Sequence, residues 1–291
     1  MSSSFAVLSD RGVVRVAGTD AGKFLQGLIT NDIDRLATQP AIHTGLLTPQ
    51  GKILFEFFVV KDSDGFPIDI ARGKIAEFVK RLTFYKLRAA VTFEDLSATV
   101  SVFAVWGDRV PSVPAGTLAA YRDPRLHDLG ERRILPATVT EIDGSVRRDA
   151  DAYHAHRIAL GVPEGGKDYA FGETFPHDAN FDVLDGVAFD KGCFVGQEVV
   201  SRVQHRSAVR KRIVAIAGAG PLPPAGTKIM AGTAAIGTLG SVAGTRGLAL
   251  VRLDRAEEAA AGGQTLMAGE LPIAIERAPG APFGGAGPAT D

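Results

Sequence analysis

The chain has a single cysteine, Cys193, among its 291 residues. That excludes an intramolecular disulfide and fits a reducing compartment. It also excludes a self-contained iron–sulfur centre held by four thiolates, so a stably bound cluster would need ligands from another chain. An excess of charge of one sign is lacking too. The 32 Lys and Arg against 33 Asp and Glu leave a formal net charge of -1. Nothing global therefore points to nucleic acid or a membrane as partner, although a local basic patch remains compatible with that balance. No window approaches the roughly 18 apolar residues of a membrane span. The stretch Met1-Ser2-Ser3-Ser4-Phe5-Ala6-Val7-Leu8 has no basic leader and no processing site, and a cytoplasmic address is expected. The six histidines show no metal-ligand spacing. His154 and His156 lie two apart on a predicted helix, on different faces, and no metal site is expected.

What is present reads as a soluble globular protein long enough for two or more domains. Residues 5–17 read as two short strands about a hairpin-type turn at Asp10-Arg11-Gly12. Thr19-Asp20 are placed to cap a helix over 21–29, with Phe24, Leu25 and Leu28 as its apolar stripe and Asn31-Asp32 suited to its end. Residues 43–60 read as strand, turn (Thr48-Pro49-Gln50-Gly51) and strand, the second apolar except for Glu56. Asp62-Ser63-Asp64-Gly65 signals a turn before a strand over 66–71. A helix follows over 73–87, with Ile75, Phe78, Val79 and Leu82 on one face. Lys80, Arg81, Lys86 and Arg88 cluster near its end, either complementing the helix dipole or meeting an acidic group.

Residues 89–106 supply two more strands, so an antiparallel sheet with helices on one face is expected. The proline-punctuated stretch 107–145 reads as a connection between lobes, with short strands at 118–122 and 132–135. A helix is expected over 149–160. Beyond 209, short β-rich runs broken by glycine (213–217, 227–230, 236–242, 248–253, 271–276), with a helix over 255–261, suggest a small barrel or sandwich. Residues 279–291 are Gly, Pro and Ala without periodicity and are expected to be a disordered tail.

The richest stretch surrounds the cysteine: Asp190-Lys191-Gly192-Cys193-Phe194-Val195-Gly196-Gln197-Glu198. Gly192 and Gly196 can take positive φ or admit a close backbone approach. Lys191 can lower the thiol pKa if its ammonium lies beside the sulfur. Gln197 and Glu198 offer polar groups next to apolar ones. The alternative is a buried cysteine in a glycine-rich turn, where free Cys behaves as a small hydrophobe.

Residues 191–198 resemble the K-G-C-[FY]-x-G-Q-E signature of the YgfZ-type folate-binding proteins, and Arg202 follows at the distance expected from that family. Mitochondrial counterparts of that family are iron–sulfur cluster assembly factors, and both are relatives of the glycine-cleavage T-protein (aminomethyltransferase). Leu25-Gln26-Gly27-Leu28-Ile29-Thr30-Asn31-Asp32 resembles the family's "LQG-x-x-TND" segment, Tyr85-Lys86-Leu87-Arg88 its "LYRLR"-like run, and Arg157-Ile158-Ala159-Leu160-Gly161-Val162-Pro163 its "RIxxGxP" run.

The resemblance implies an α+β fold of two T-protein-like lobes over residues 1–208 and a C-terminal β-barrel over 209–278. It implies tetrahydrofolate, or a one-carbon derivative, as ligand between the lobes, and iron–sulfur client or assembly proteins as partners. Asp178 stands where the transferases set a glutamate against the pterin. Asn31, Glu56 and Arg88 are further candidate contacts, and Cys193 is the key thiol facing the same cleft. An aspartate pair of the transferases is matched here by Phe55-Glu56, and phenylalanine cannot exchange a proton. Alternation along the strand also sends Glu56 to the opposite face from Phe55, as an edge or solvent-facing residue or as a ligand contact. An accessory role in iron–sulfur assembly or repair is therefore expected ahead of one-carbon transfer. A Cys193 nucleophile with a histidine base has no motif in its favour.

Overall fold

The structure is a computed structural model that describes residues 3–205 and 209–276, and the expected tail at 279–291 lies outside them. Contacts divide the chain into two compact units. One comprises the chain through Tyr153 together with Leu184–Gln197, the other His154–Val183 together with the chain from Glu198 onward. Among the described residues, 154–183 and 198–205 therefore group with the barrel, so the units do not follow a single boundary at 208.

In the first unit, β1 (Ser3–Val7) and β2 (Arg11–Ala17) are not a hairpin. They enter different sheets. The first sheet contains β2, β3 (Ala41–Leu47), β4 (Ile53–Val60), β5 (Phe66–Ala71) and β6 (Thr92–Asp95), in the order β3-β4-β5-β2-β6 and antiparallel throughout. The second contains β1, β7 (Val100–Trp106), β8 (Ala119–Arg122), β9 (Glu131–Pro136) and β10 (Ser145–Arg147), in the order β10-β1-β7-β9-β8, with β1 and β10 parallel. An alternating pattern identifies a strand but not its partner, which is why the hairpin reading fails at Asp10-Arg11-Gly12. The stretch 107–145 is likewise not a mere connection. It supplies β8 and β9, whose Tyr121, Ile134 and Leu135 are buried.

The sequence of β4, Ile-Leu-Phe-Glu-Phe-Phe-Val-Val, is apolar because the strand is covered on both faces. Phe55, Phe57 and Val59 join Ile68, Ile70, Val14 and Val16 beneath α1 (Ala21–Gln26) and α2 (Ile75–Lys86). Phe58 and Val60 face the other way, into a core shared with Val102, Ala104, Tyr121 and Ile134 of the second sheet. On α2 the buried Ile75, Phe78 and Leu82 contribute about 1.5–3 kcal/mol each. The α1 helix stops at Gln26, short of the expected Ile29. Asp20 does not cap it, and its carboxylate instead accepts the Ala90 N–H at 2.7 Å.

In the second unit, β11 (Lys211–Gly218), β12 (Lys228–Ala231), β13 (Ala234–Ala243), β14 (Arg246–Arg252), β15 (Leu266–Ala268) and β16 (Leu271–Glu276) close a barrel in the order β11-β14-β13-β12-β15-β16. Pairing of β11 with β16 completes it, so the barrel, not the sandwich, is the outcome. The short α5 (Leu253–Ala261) packs Ala256 and Ala259 onto Ile229 and Ile236. Two of the three unit boundaries fall within α3 (Ala150–Ala159) and α4 (Gln197–His205), and the third lies between Val183 and Leu184.

Candidate functional site

The cysteine stretch lies in the first unit, and its neighbours fix it at two points. Lys191 is buried, and its ammonium donates to the carbonyls of Gln26, Ile29 and Asn31, each at 2.8 Å. All of its N–H donors are thus spent at the end of α1, and none remains for the thiol. The condition for Lys191 to lower the thiol pKa, an ammonium beside the sulfur, is not met. Burial pushes the Lys191 pKa down to about 8, opposed by the carboxylates of Asp32 and Asp34, so the side chain stays largely charged at neutral pH.

Gly196 is the second point. Its φ of +82° is in the left-handed region, and a Cβ there would lie 2.6 Å from the Thr48 carbonyl oxygen and 3.0 Å from the Gly51 Cα. Gly192, by contrast, has open space around it and no positive φ. Between the two points Phe194 is buried, with the Lys191 ammonium 5.2 Å from its ring centroid, and Val195 packs on the helix-side core. Cys193 is exposed. The buried-cysteine alternative is thereby excluded.

The chain leading into this loop is stitched to the same region. Asn31 donates its side-chain N–H groups to the His43 and Asp185 carbonyls (2.8 and 2.6 Å), and its Oδ1 accepts from the Asp32 N–H. Thr30 Oγ1 donates to the Gly186 carbonyl at 2.6 Å, and the Ala188 N–H donates to Thr30 O. The Asn31 amide is therefore part of the frame, with both donors already spent. Glu56 is buried between the sheets, not solvent-facing: its Oε1 lies 3.1 Å from His43 Nε2 and 3.7 Å from Arg125 Nη1. Phe55, on the opposite face, stacks edge-on against Phe78 at 5.2 Å. Arg88 is exposed on the turn after α2, apart from these groups.

Sequence reasoning did not find the ionic network to which Glu56 belongs. Asp69 pairs with Arg11 (2.7 Å) and Arg132 (2.7 Å), and Asp123 pairs with Arg125 (2.8 Å), all of them buried. The Arg132, Arg125 and Arg11 guanidinium carbons lie 4.4, 4.8 and 5.7 Å from the centroid of the Phe58 ring. Burial raises the Asp123 pKa and Arg125 lowers it, and the outcome is a carboxylate below its ordinary range. The legible signal was a charge at an inward position of an apolar strand, as in Phe-Pro-Ile-Asp-Ile-Ala of β5.

In the second unit, Asp178 lies in a segment pinned to β11. The Ile213 N–H donates to the Asp178 carbonyl at 3.0 Å, Asn180 Nδ2 donates to Ile213 O, and Arg212 makes a two-pronged pair with Asp182. Burial pushes the half-buried Asp178 carboxyl up to about 6, against the lowering pull of Lys211, Arg212 and the Phe175 N–H. It remains mostly ionised at pH 7 and retains acceptor capacity. Glu198 and Arg202 form an exposed i,i+4 pair on α4 at 2.8 Å, and Gln197 opens that helix. Arg157 is a tie within the unit: it donates to Asp168 (2.7 Å) and Ser241 Oγ (2.8 Å). Among the described residues, no group of three or more His, Cys, Asp and Glu is gathered to hold a metal ion.

Residues 7–120 match the family described as "GCVT N-terminal domain", and residues 210–283 match "CAF17, C-terminal beta-barrel domain". The iron-sulfur cluster assembly factor IBA57, mitochondrial, of Mus musculus is 32% identical over 283 residues, covering 84% of this chain and 76% of that protein. The Homo sapiens protein of the same name is 30% identical over 304 residues, covering 91% and 83%. The chain belongs to the IBA57 family.

Other members of the IBA57 family are longer. The match with the Neurospora crassa homolog, 33% identical, covers 71% of this chain but 52% of that relative, about half its length. The fold is also that of a solved aminomethyltransferase T of the glycine cleavage system from Bartonella henselae. The two superpose with a TM-score of 0.73 over 96% of this chain and 86% of the other, at 14% identity. The relatives bear out the expected kinship with the mitochondrial iron–sulfur assembly factors and with the T-protein, while the YgfZ-type label itself is not shown. They are named as mitochondrial proteins, which overturns the cytoplasmic reading. A single cysteine and short apolar runs fit any reducing aqueous compartment and do not separate one from another.

Proposed function

We propose that this protein is an accessory factor for assembly or repair of iron–sulfur clusters in client proteins, with Cys193 as its functional thiol. Iron–sulfur client or assembly proteins are the partners. The observation that carries the reading is the exposed Cys193 on a loop fixed by Lys191 and Gly196. A soft thiolate suits iron, but one thiolate is a fraction of a cluster's ligand set, so the remaining ligands come from the partner and the cluster is cargo. The test is complementation of cells lacking the gene. Cys193→Ala should change stability by no more than about 0.5 kcal/mol, as an exposed substitution does. It should nevertheless lose support of client iron–sulfur enzymes under oxidative stress. Client activities equal to wild type would remove the thiol from the mechanism.

Tetrahydrofolate, or a one-carbon derivative, is the ligand we assign to the same protein, with the Asp178 carboxylate accepting from the pterin edge. Its fit rests on a half-buried carboxyl that is ionised at pH 7. Calorimetric titration should show one saturable site whose affinity falls as pH drops through about 6, and Asp178→Ala should weaken it. Unchanged affinity in that variant would contradict the assignment. The folded pKa is raised above the ordinary 3.8, so folding favours the protonated form, and stability should decline as pH rises from about 4 to about 6. Asp178→Asn removes that decline.

One-carbon transfer is disfavoured as the activity. At the positions corresponding to the aspartate pair, Phe55 is packed in an apolar core and Glu56 is held by His43.

A further inference from the structure

The end of α2 and its C-cap residue expose an apolar pair, Phe84 and Leu87, of which Phe84 touches the Tyr85 ring edge-on at 5.7 Å. Phe84 is 74% exposed and Leu87 89%, at the helix end where a polar face is expected. Leu87 also has φ +45°, ψ -108°, a conformation that suits glycine and that leucine rarely adopts. The position thus combines strain with exposure of a large apolar side chain, and folded-state packing repays neither. Cations are concentrated here: Lys80 is exposed and Arg81 and Lys86 are half-buried on the last turns of α2, Arg88 is exposed on the turn after it, and the helix's acidic Glu77 is already paired with Lys74 at 2.8 Å. The nearby Asp20 carboxylate is engaged by the Ala90 N–H.

We propose that this helix end is a docking surface for an anionic lipid bilayer, with Phe84 and Leu87 entering the interface and Lys80, Arg81, Lys86 and Arg88 meeting the headgroups. Protruding apolar side chains next to several cations are what a shallow interfacial insertion requires. A protein interface of standard size needs roughly 20–30 residues a side, and two apolar side chains on a helix tip do not provide its core. The near-neutral total charge conceals this patch, which is why no membrane partner was expected from composition. No helix among the described residues is long and apolar enough to cross a membrane.

The test is co-sedimentation of the full chain with vesicles of phosphatidylcholine and phosphatidylglycerol mixed at roughly two to one, beside vesicles of phosphatidylcholine alone. Binding to the anionic vesicles is expected, weakened by salt and absent with the neutral ones. Phe84→Ser/Leu87→Ser should weaken it by about tenfold or more. Leu87→Gly is the sharper variant: by relieving the strained backbone it should raise Tm while lowering vesicle affinity. Failure of the wild type to bind, or equal binding by these variants, would overturn the proposal. So would retention on immobilised poly-glutamate without vesicle binding, which would mark an acidic protein as the occupant.

Discussion

Replacing Asp69 by asparagine is expected to destabilise the first unit by about 3–5 kcal/mol, a large fraction of what a domain has in total. The carboxylate is fully buried and is shared by Arg11 and Arg132, with the Tyr121 hydroxyl 3.4 Å from Oδ2. An amide keeps the shape but removes the charge, and two buried guanidinium groups lose their principal counter-ion. The network as a whole is balanced: Arg11, Arg125 and Arg132 face Asp69, Asp123 and Glu56. Their convergence on the Phe58 ring is sustainable because carboxylates interleave the cations. Breaking one member costs more than replacing the set with apolar residues would, because the penalty comes from charges left unpaired. Denaturant unfolding of the full chain, followed by hydrogen exchange on first-unit strands, checks it. A loss below about 1 kcal/mol would mean that water reaches the site and screens it.

Lys191→Met is expected to cost about 2–3 kcal/mol, because three buried carbonyls lose a charged donor and a comparable chain length takes its place. The larger consequence is local. With Gly196 still seated on the Thr48 turn, the loop keeps one anchor and loses the other. Amide exchange over residues 188–196 should accelerate at least about tenfold, while the barrel strands of the second unit exchange as in wild type. Alkylation of Cys193 should change little in extent, since the thiol is exposed already. If exchange in the loop were unaltered, the three carbonyl contacts would not be holding it.

Much of the fold was legible because the periodic signal was strong. The apolar run of β4 and the Ile75, Phe78, Leu82 spacing of α2 both gave the right element in the right place. Strand partners were not legible: β1 and β2 look like a hairpin from their neighbourhood in sequence, yet each finds its partners far along the chain. The three-residue β15 after Gly262-Gly263 carries too little pattern to be seen.

At the site, the signature identified the loop but not the work each residue does there. Lys191 is two residues from the thiol in sequence, and its long side chain carries the ammonium away from it to α1. The ionic network draws on six residues between Arg11 and Arg132 that are far apart in sequence. Glu56 and Asp69 are betrayed by inward positions on apolar strands, whereas Asp123 and Arg125 lie in the turn after β8 and carry no such signal.

Under the proposed function, the frame around Cys193 presents one thiol to an iron–sulfur cluster held by another protein. Anaerobic titration of an assembly protein loaded with such a cluster, followed by visible absorption and circular dichroism, tests it most directly. The wild type should produce a saturable change in the cluster's sulfur-to-iron bands, and Cys193→Ala should not, though it folds as well. The same spectral change with Cys193→Ala would contradict the claim.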